Sequence, residues 1–142
     1  MTKYVWGVVA LCLAALHGVA GAAAPTRIGW LTNVGSTFDV RYDPAQQFAY
    51  FSTSTSCLVV VDVQNPAAPW VRGWSPVGCA GGKIDLSADV VIVAGNAGGA
   101  KVFDVSNPAM PVVIGQKAGT IRNVALGAAR AYVIEPVAGN PG

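Results

Sequence analysis

Two aspartates, two cysteines and two glycine-rich loops are the residues whose types and spacing invite chemistry. Asp62 and Asp104 recur 42 positions apart, each opening Asp-Val-x-Asn-Pro-Ala-x-Pro. A calcium loop needs several oxygen ligands closely spaced, and Asp62 to Asn65 alone does not supply them. A recurring Asp before an Asn-Pro turn instead accepts backbone N–H bonds at a strand end. Asp62, Asn65, Pro66 and Pro69, with Asp104, Asn107, Pro108 and Pro111, are therefore read as structural. The loops GCAGGK (78–83) and GNAGGAK (95–101) resemble phosphate cradles. They lack the glycine spacing and Lys-Ser/Thr ending of the phosphate-binding signature. They read as loops where neighbouring strands approach closely. The residues imply no catalytic group, no metal site and no cofactor.

The cysteines divide by position. Cys12 lies in an apolar N-terminal run, which leaves Cys57 and Cys79 as a pair. In an oxidising compartment an even number favours a disulfide. The alternative is two free, partly buried thiols. The single histidine, His17, belongs to the same N-terminal run, so no imidazole remains to activate a thiol.

Composition narrows the class. Charged residues are 11% of the 142 and apolar residues 53%, against about a quarter charged in an ordinary soluble domain. That excludes a disordered, charge-rich chain. Nine Lys and Arg against seven Asp and Glu give +2 without a basic cluster, which excludes a nucleic-acid binder.

The N-terminus reads as an address. Lys3 precedes the apolar run YVWGVVALCLAAL (4–16), and Ala20-Gly21-Ala22 fits a cleavage site. This is the order of a secretory signal peptide, placed at 1–22. A retained anchor is the alternative, since 4–24 is long enough to span a bilayer. Cleavage leaves eight basic and seven acidic residues, no membrane span, and a location in the periplasm, at the cell surface or outside the cell.

The elements that position these residues repeat. Shifted by 42, LVVVDVQNPAAPWVRGW (58–74) falls on AKVFDVSNPAMPVVIGQ (100–116) without a gap. A weaker echo sets Ala49-Tyr50 on Ala131-Tyr132. Valine-rich runs punctuated by Asn-Pro-x-x-Pro predict strands covered on both faces, each followed by a tight turn and an outer strand. A period near 42 with strands points to propeller blades. The expected fold is all-β, a partial β-propeller of four-stranded antiparallel blades after a signal-peptide helix. Its units are 37–75, 83–117 and a third from 121 to 142 that stops after two strands. An outer strand is expected at 27–32, where Gly29 corresponds to Gly73 and Gly115. The DPAQQ loop (43–47) is expected to be about three residues longer than its counterparts. A propeller closes with about four blades or more. About two and a half units thus imply a fragment of a longer chain, or an oligomer.

VVVDVQNPAAP and KVFDVSNPAMP, each followed by a glycine-bearing strand, resemble the LVIVD repeat, over about 28–135. The resemblance implies an exported protein with propeller-like blades, and no catalytic residue to carry over.

The function expected is a non-enzymatic binding or scaffolding module at the envelope or outside the cell. Loops near 34–37, 54–57, 78–83, 96–99 and 118–121 would face a protein or glycan partner. The rival is a secreted propeller-type hydrolase or oxidoreductase, using channel-facing Asp39, Arg41, Asp85, Arg122 and Asn123. Trp30, Trp70 and Trp74 are expected on outer strands, packed between units or at an edge.

Overall fold

The computed structural model describes residues 27–32 and 34–136; the segment 1–22, expected to be a signal peptide, and the last residues of the expected third unit lie outside them. The described chain is all-β, without a helix. Strands β1 (Thr37–Asp43), β2 (Phe48–Thr53), β3 (Cys57–Asp62) and β4 (Trp70–Trp74) form one antiparallel sheet in chain order. A second has β5 (Ile84–Ser87), β6 (Val90–Ala94), β7 (Ala100–Asp104) and β8 (Val112–Lys117). Hairpin β9 (Asn123–Leu126) and β10 (Ala131–Ile134) stands as a third.

Strand periodicity explains the stacking. Alternate residues point to opposite faces, and in β2, β3, β6 and β7 apolar residues fall on both faces, so each sheet needs cover on both sides. Tyr50, Leu58 and Val60 of the first sheet pack on Ile84, Val91, Val93 and Phe103 of the second. The opposite face of the second sheet, with Ile92, Ala94 and Ala100, packs on Ile121 and Val124. The outer face of the first sheet, with Ala49, Phe51, Val59 and Val61, is partly covered by Leu31 and Val34. Phe38, Val40 and Tyr42 of β1 stay exposed.

The sequence repeat is a structural repeat down to its irregularities. The β3–β4 ladder shifts register between Val60 and Val61, and the β7–β8 ladder shifts between Val102 and Phe103, 42 residues on. In both units an Asx turn follows the third strand. Asn65 Oδ1 accepts from Ala67 N–H (3.1 Å), and Asn107 Oδ1 accepts from Ala109 N–H (3.1 Å). Asp62 and Asp104 accept from the N–H groups of Gln64 (3.0 Å) and Ser106 (2.8 Å). The proline lacks a donor and presets φ, so the chain reverses there and continues as the outer strand.

Two sequence expectations are corrected. Residues 27–32 form no strand; only Leu31 makes a bridge, and the segment crosses the first Asn-Pro turn, with Gly29 against the Pro66 carbonyl. A strand needs a ladder partner, and no described strand forms a ladder with this segment. The DPAQQ loop is also not unique. Residues 44–47 link β1 to β2 and 127–130 link β9 to β10, whereas only 88–89 link β5 to β6. The second unit is the short one, with Ala88 at φ +48°.

Candidate functional site

The first strand of each unit lies beside that of the next, which brings β1, β5 and β9 together. Asp39 on β1 faces Lys83, which precedes β5, at 3.8 Å. Arg41 Nε reaches Asp85 Oδ1 on β5 at 3.2 Å, and Arg41 also lies 3.6 Å from Asp39. The carboxylates bond backbone as well. Asp39 Oδ2 accepts from Ile84 N–H (3.3 Å), and Asp85 Oδ2 accepts from Leu126 N–H (2.8 Å). Each of these aspartates therefore ties its own unit to the next. Partial burial opposes the charge of Asp85, but the N–H groups of Leu126 and Leu86 and the Arg41 guanidinium hold its carboxyl below the usual range. A carboxylate so held is ionised at neutral pH and a weak general base.

The structure thus brings Asp39, Arg41 and Asp85 together and adds Lys83. Asn123 instead accepts from its neighbour Val124 N–H (2.9 Å), and Arg122 donates its backbone N–H to Ile134 (2.9 Å). Arg122 is in none of the ion pairs found among the described residues. The signal for Lys83 was present as a charge reversal: Asp-x-Arg at 39–41 meets Lys-x-Asp at 83–85.

The loops at one end of the stack are bonded to each other. Ser54 N–H donates to Ser36 O (3.0 Å), Asn96 Nδ2 to Gly81 O (2.7 Å) and Ile121 N–H to Asn96 O (3.0 Å). The Ser52 hydroxyl donates to Gly82 O. Gly99 at φ +78° lies against the Lys117 carbonyl, where a side chain would collide. A disulfide joins Cys57, at the start of β3, to Cys79 in the β4–β5 connection. Cys57 is buried, and Cys79 packs against the central core cluster.

At the opposite end Tyr50 is fully buried and its hydroxyl has no partner among the described residues. Burial, then the charges of Asp43 and Asp89, push its pKa up to about 12. The unfolded chain releases this proton near pH 10. Between those values the unfolded state binds fewer protons, so stability falls as pH rises. The loss amounts to roughly 2–3 kcal/mol by pH 12. Tyr50→Phe is expected to remove this alkaline loss. It should also raise stability at neutral pH by about 1 kcal/mol, since a buried hydroxyl without a partner is gone. Urea midpoints at pH 7, 9 and 11 check both; an unchanged alkaline slope assigns the loss to other groups.

The tryptophans lie at the edge, exposed: Trp30 63%, Trp70 47% and Trp74 61%. Arg27 sits over the ring of Trp30 and Arg72 over that of Trp70, each 5.3 Å from the centroid. Trp74, Val77, Met110 and Pro111 line an apolar cleft of about 480 Å³ between the outer strand of one unit and the Asn-Pro turn of the next. Sequence reasoning missed this cleft, because its two walls are about 35 residues apart.

Among known families, the LVIVD repeat matches at residues 46–73 and 82–117. The first match covers β2 to β4 and the second β5 to β8. No curated protein and no solved structure matches the chain. Two matched segments that fold into sheets with the same turn and the same ladder shift establish the repeat by sequence and by architecture, and the chain is an LVIVD repeat-containing protein.

Proposed function

We propose that this protein is an exported, non-enzymatic binding or scaffolding module whose sheets are the blades of a propeller. The observation that carries the reading is how the polar groups are used. Asp39, Arg41, Lys83 and Asp85 pair with one another and with backbone across successive units. The loop end is meanwhile cross-bonded and joined by the Cys57–Cys79 disulfide. Loops held in one arrangement before binding lose little entropy on contact, which suits recognition of a protein or glycan of the envelope. The N-terminal run 1–22, read as a signal, and the disulfide both accord with an oxidising compartment outside the cytoplasm.

Thermal melting of the full chain with divalent metals, nicotinamide and flavin cofactors tests the non-enzymatic reading. No rise in Tm is expected; a rise that saturates with one of them would point to the enzyme instead. Intact mass of the chain expressed in a bacterial host tests export. Loss of the first 22 residues is expected, and a full-length cytoplasmic product overturns it.

A further inference from the structure

Three glycines occupy one position of the repeat, and their surroundings differ. A Cβ on Gly29 would collide with the Pro66 carbonyl. One on Gly73 would lie 2.5 Å from the Pro108 carbonyl oxygen and 2.6 Å from that of Ala109. Both glycines therefore sit against the Asn-Pro turn of the following unit. Gly115 occupies the place of Gly73: Gly73 pairs with Val60 and Gly115 with Val102, each beside the same ladder shift. Yet the nearest atoms to a Cβ on Gly115 are those of Val102 in its own sheet, at 3.6 Å and 3.8 Å, ordinary contact. Nothing among the described residues lies against Gly115 as the turn lies against Gly73.

Two further features adjoin this opening. Val60 is fully buried by the second sheet, but its counterpart Val102 is only partly buried. In addition, β2 and β6 are paired on both edges, whereas β10 pairs with β9 alone among the described residues. An element on the free edge of β10 would be the third strand of its unit. In the two complete units that strand is valine-rich and leads into the Asn-Pro turn. The turn that follows it is the piece that meets the outer strand of the unit before. One element therefore answers all three features.

We propose that the free edge of β10, Val102 and Gly115 form a docking site for the strand and Asn-Pro turn of a further LVIVD repeat. The strand adds to β10 by main-chain hydrogen bonds, and the turn seats on Gly115 in continuation of the contacts at Gly29 and Gly73. This rests on the stacking of the repeats and is independent of export and of any partner at the loop end.

The test uses the full 142-residue chain and a fluorescent peptide carrying its own residues 58–69, LVVVDVQNPAAP. Saturable binding is expected by anisotropy, with slowed amide exchange at 131–134. Gly115→Ala is expected to leave Tm unchanged, since its Cβ meets only ordinary contacts. It should weaken binding about tenfold or more by filling the seat of the turn. Gly73→Ala, by contrast, is expected to lower Tm, because that seat is already taken. Absence of binding at millimolar peptide overturns the proposal, as does binding that Gly115→Ala leaves unchanged. Neither outcome bears on the melting and mass measurements of the proposed function.

Discussion

Phe103→Ala is expected to destabilise the protein by about 3–5 kcal/mol. Phe103 on β7 is fully buried in the cluster where the first sheet meets the second. Truncation removes the transfer free energy of the ring and leaves a cavity that two facing sheets cannot close without moving apart. The loss is a large part of the 5–15 kcal/mol that holds an ordinary domain together. It should appear as one transition, because Phe103 serves both sheets. Guanidinium unfolding followed by tryptophan fluorescence, which reports on Trp70 and Trp74 of the first sheet, checks this. A change below about 1 kcal/mol, or a first sheet that melts as before, would mean that the units do not share this core.

Removing the disulfide is the second large effect. Cys57 and Cys79 are 22 residues apart in sequence. By the loop-entropy relation, a bridge of that span restricts the unfolded chain by about 3 kcal/mol. The double variant Cys57→Ala/Cys79→Ala should show an unfolding free energy lower by that amount, and a correspondingly lower midpoint. Reductant should bring the wild-type chain to nearly the same midpoint while leaving the variant unmoved. The structural consequence centres on the loop end, because the bridge links the start of β3 to the connection that crosses to the second sheet. Equal midpoints for the oxidised wild type and the variant would show that the loop end is held by its hydrogen bonds alone.

Much of the fold could be read from residues close together in sequence. The continuous valine-rich runs, the Asn-Pro turns and the 42-residue period identify strands, their order within a sheet and the repeat itself. Asx turns at Asn65 and Asn107 form from atoms two residues apart, so composition there is nearly sufficient. The segment 27–32 shows the limit. Its Arg-Ile-Gly-Trp looks like an outer strand, but a strand needs a ladder partner, and no described strand forms a ladder with it. Arg122 and Asn123 show the same limit for side chains. Asn123 lies on β9 and Arg122 just before it, close to the inner strand expected of them, whereas what either side chain meets depends on what faces it.

What the sequence by itself determined is local: the strand-and-turn unit, its doubling, and the glycine that recurs on each outer strand. The tertiary structure alone decided which charges pair between units and that, among the described residues, Tyr50 is buried without a partner and Gly73 is covered while Gly115 is open. The physical reason is separation along the chain. Asp39 meets Lys83, and Asp85 meets the Leu126 backbone, across more than forty residues. Such contacts follow from how one sheet docks on the next, which no single unit encodes.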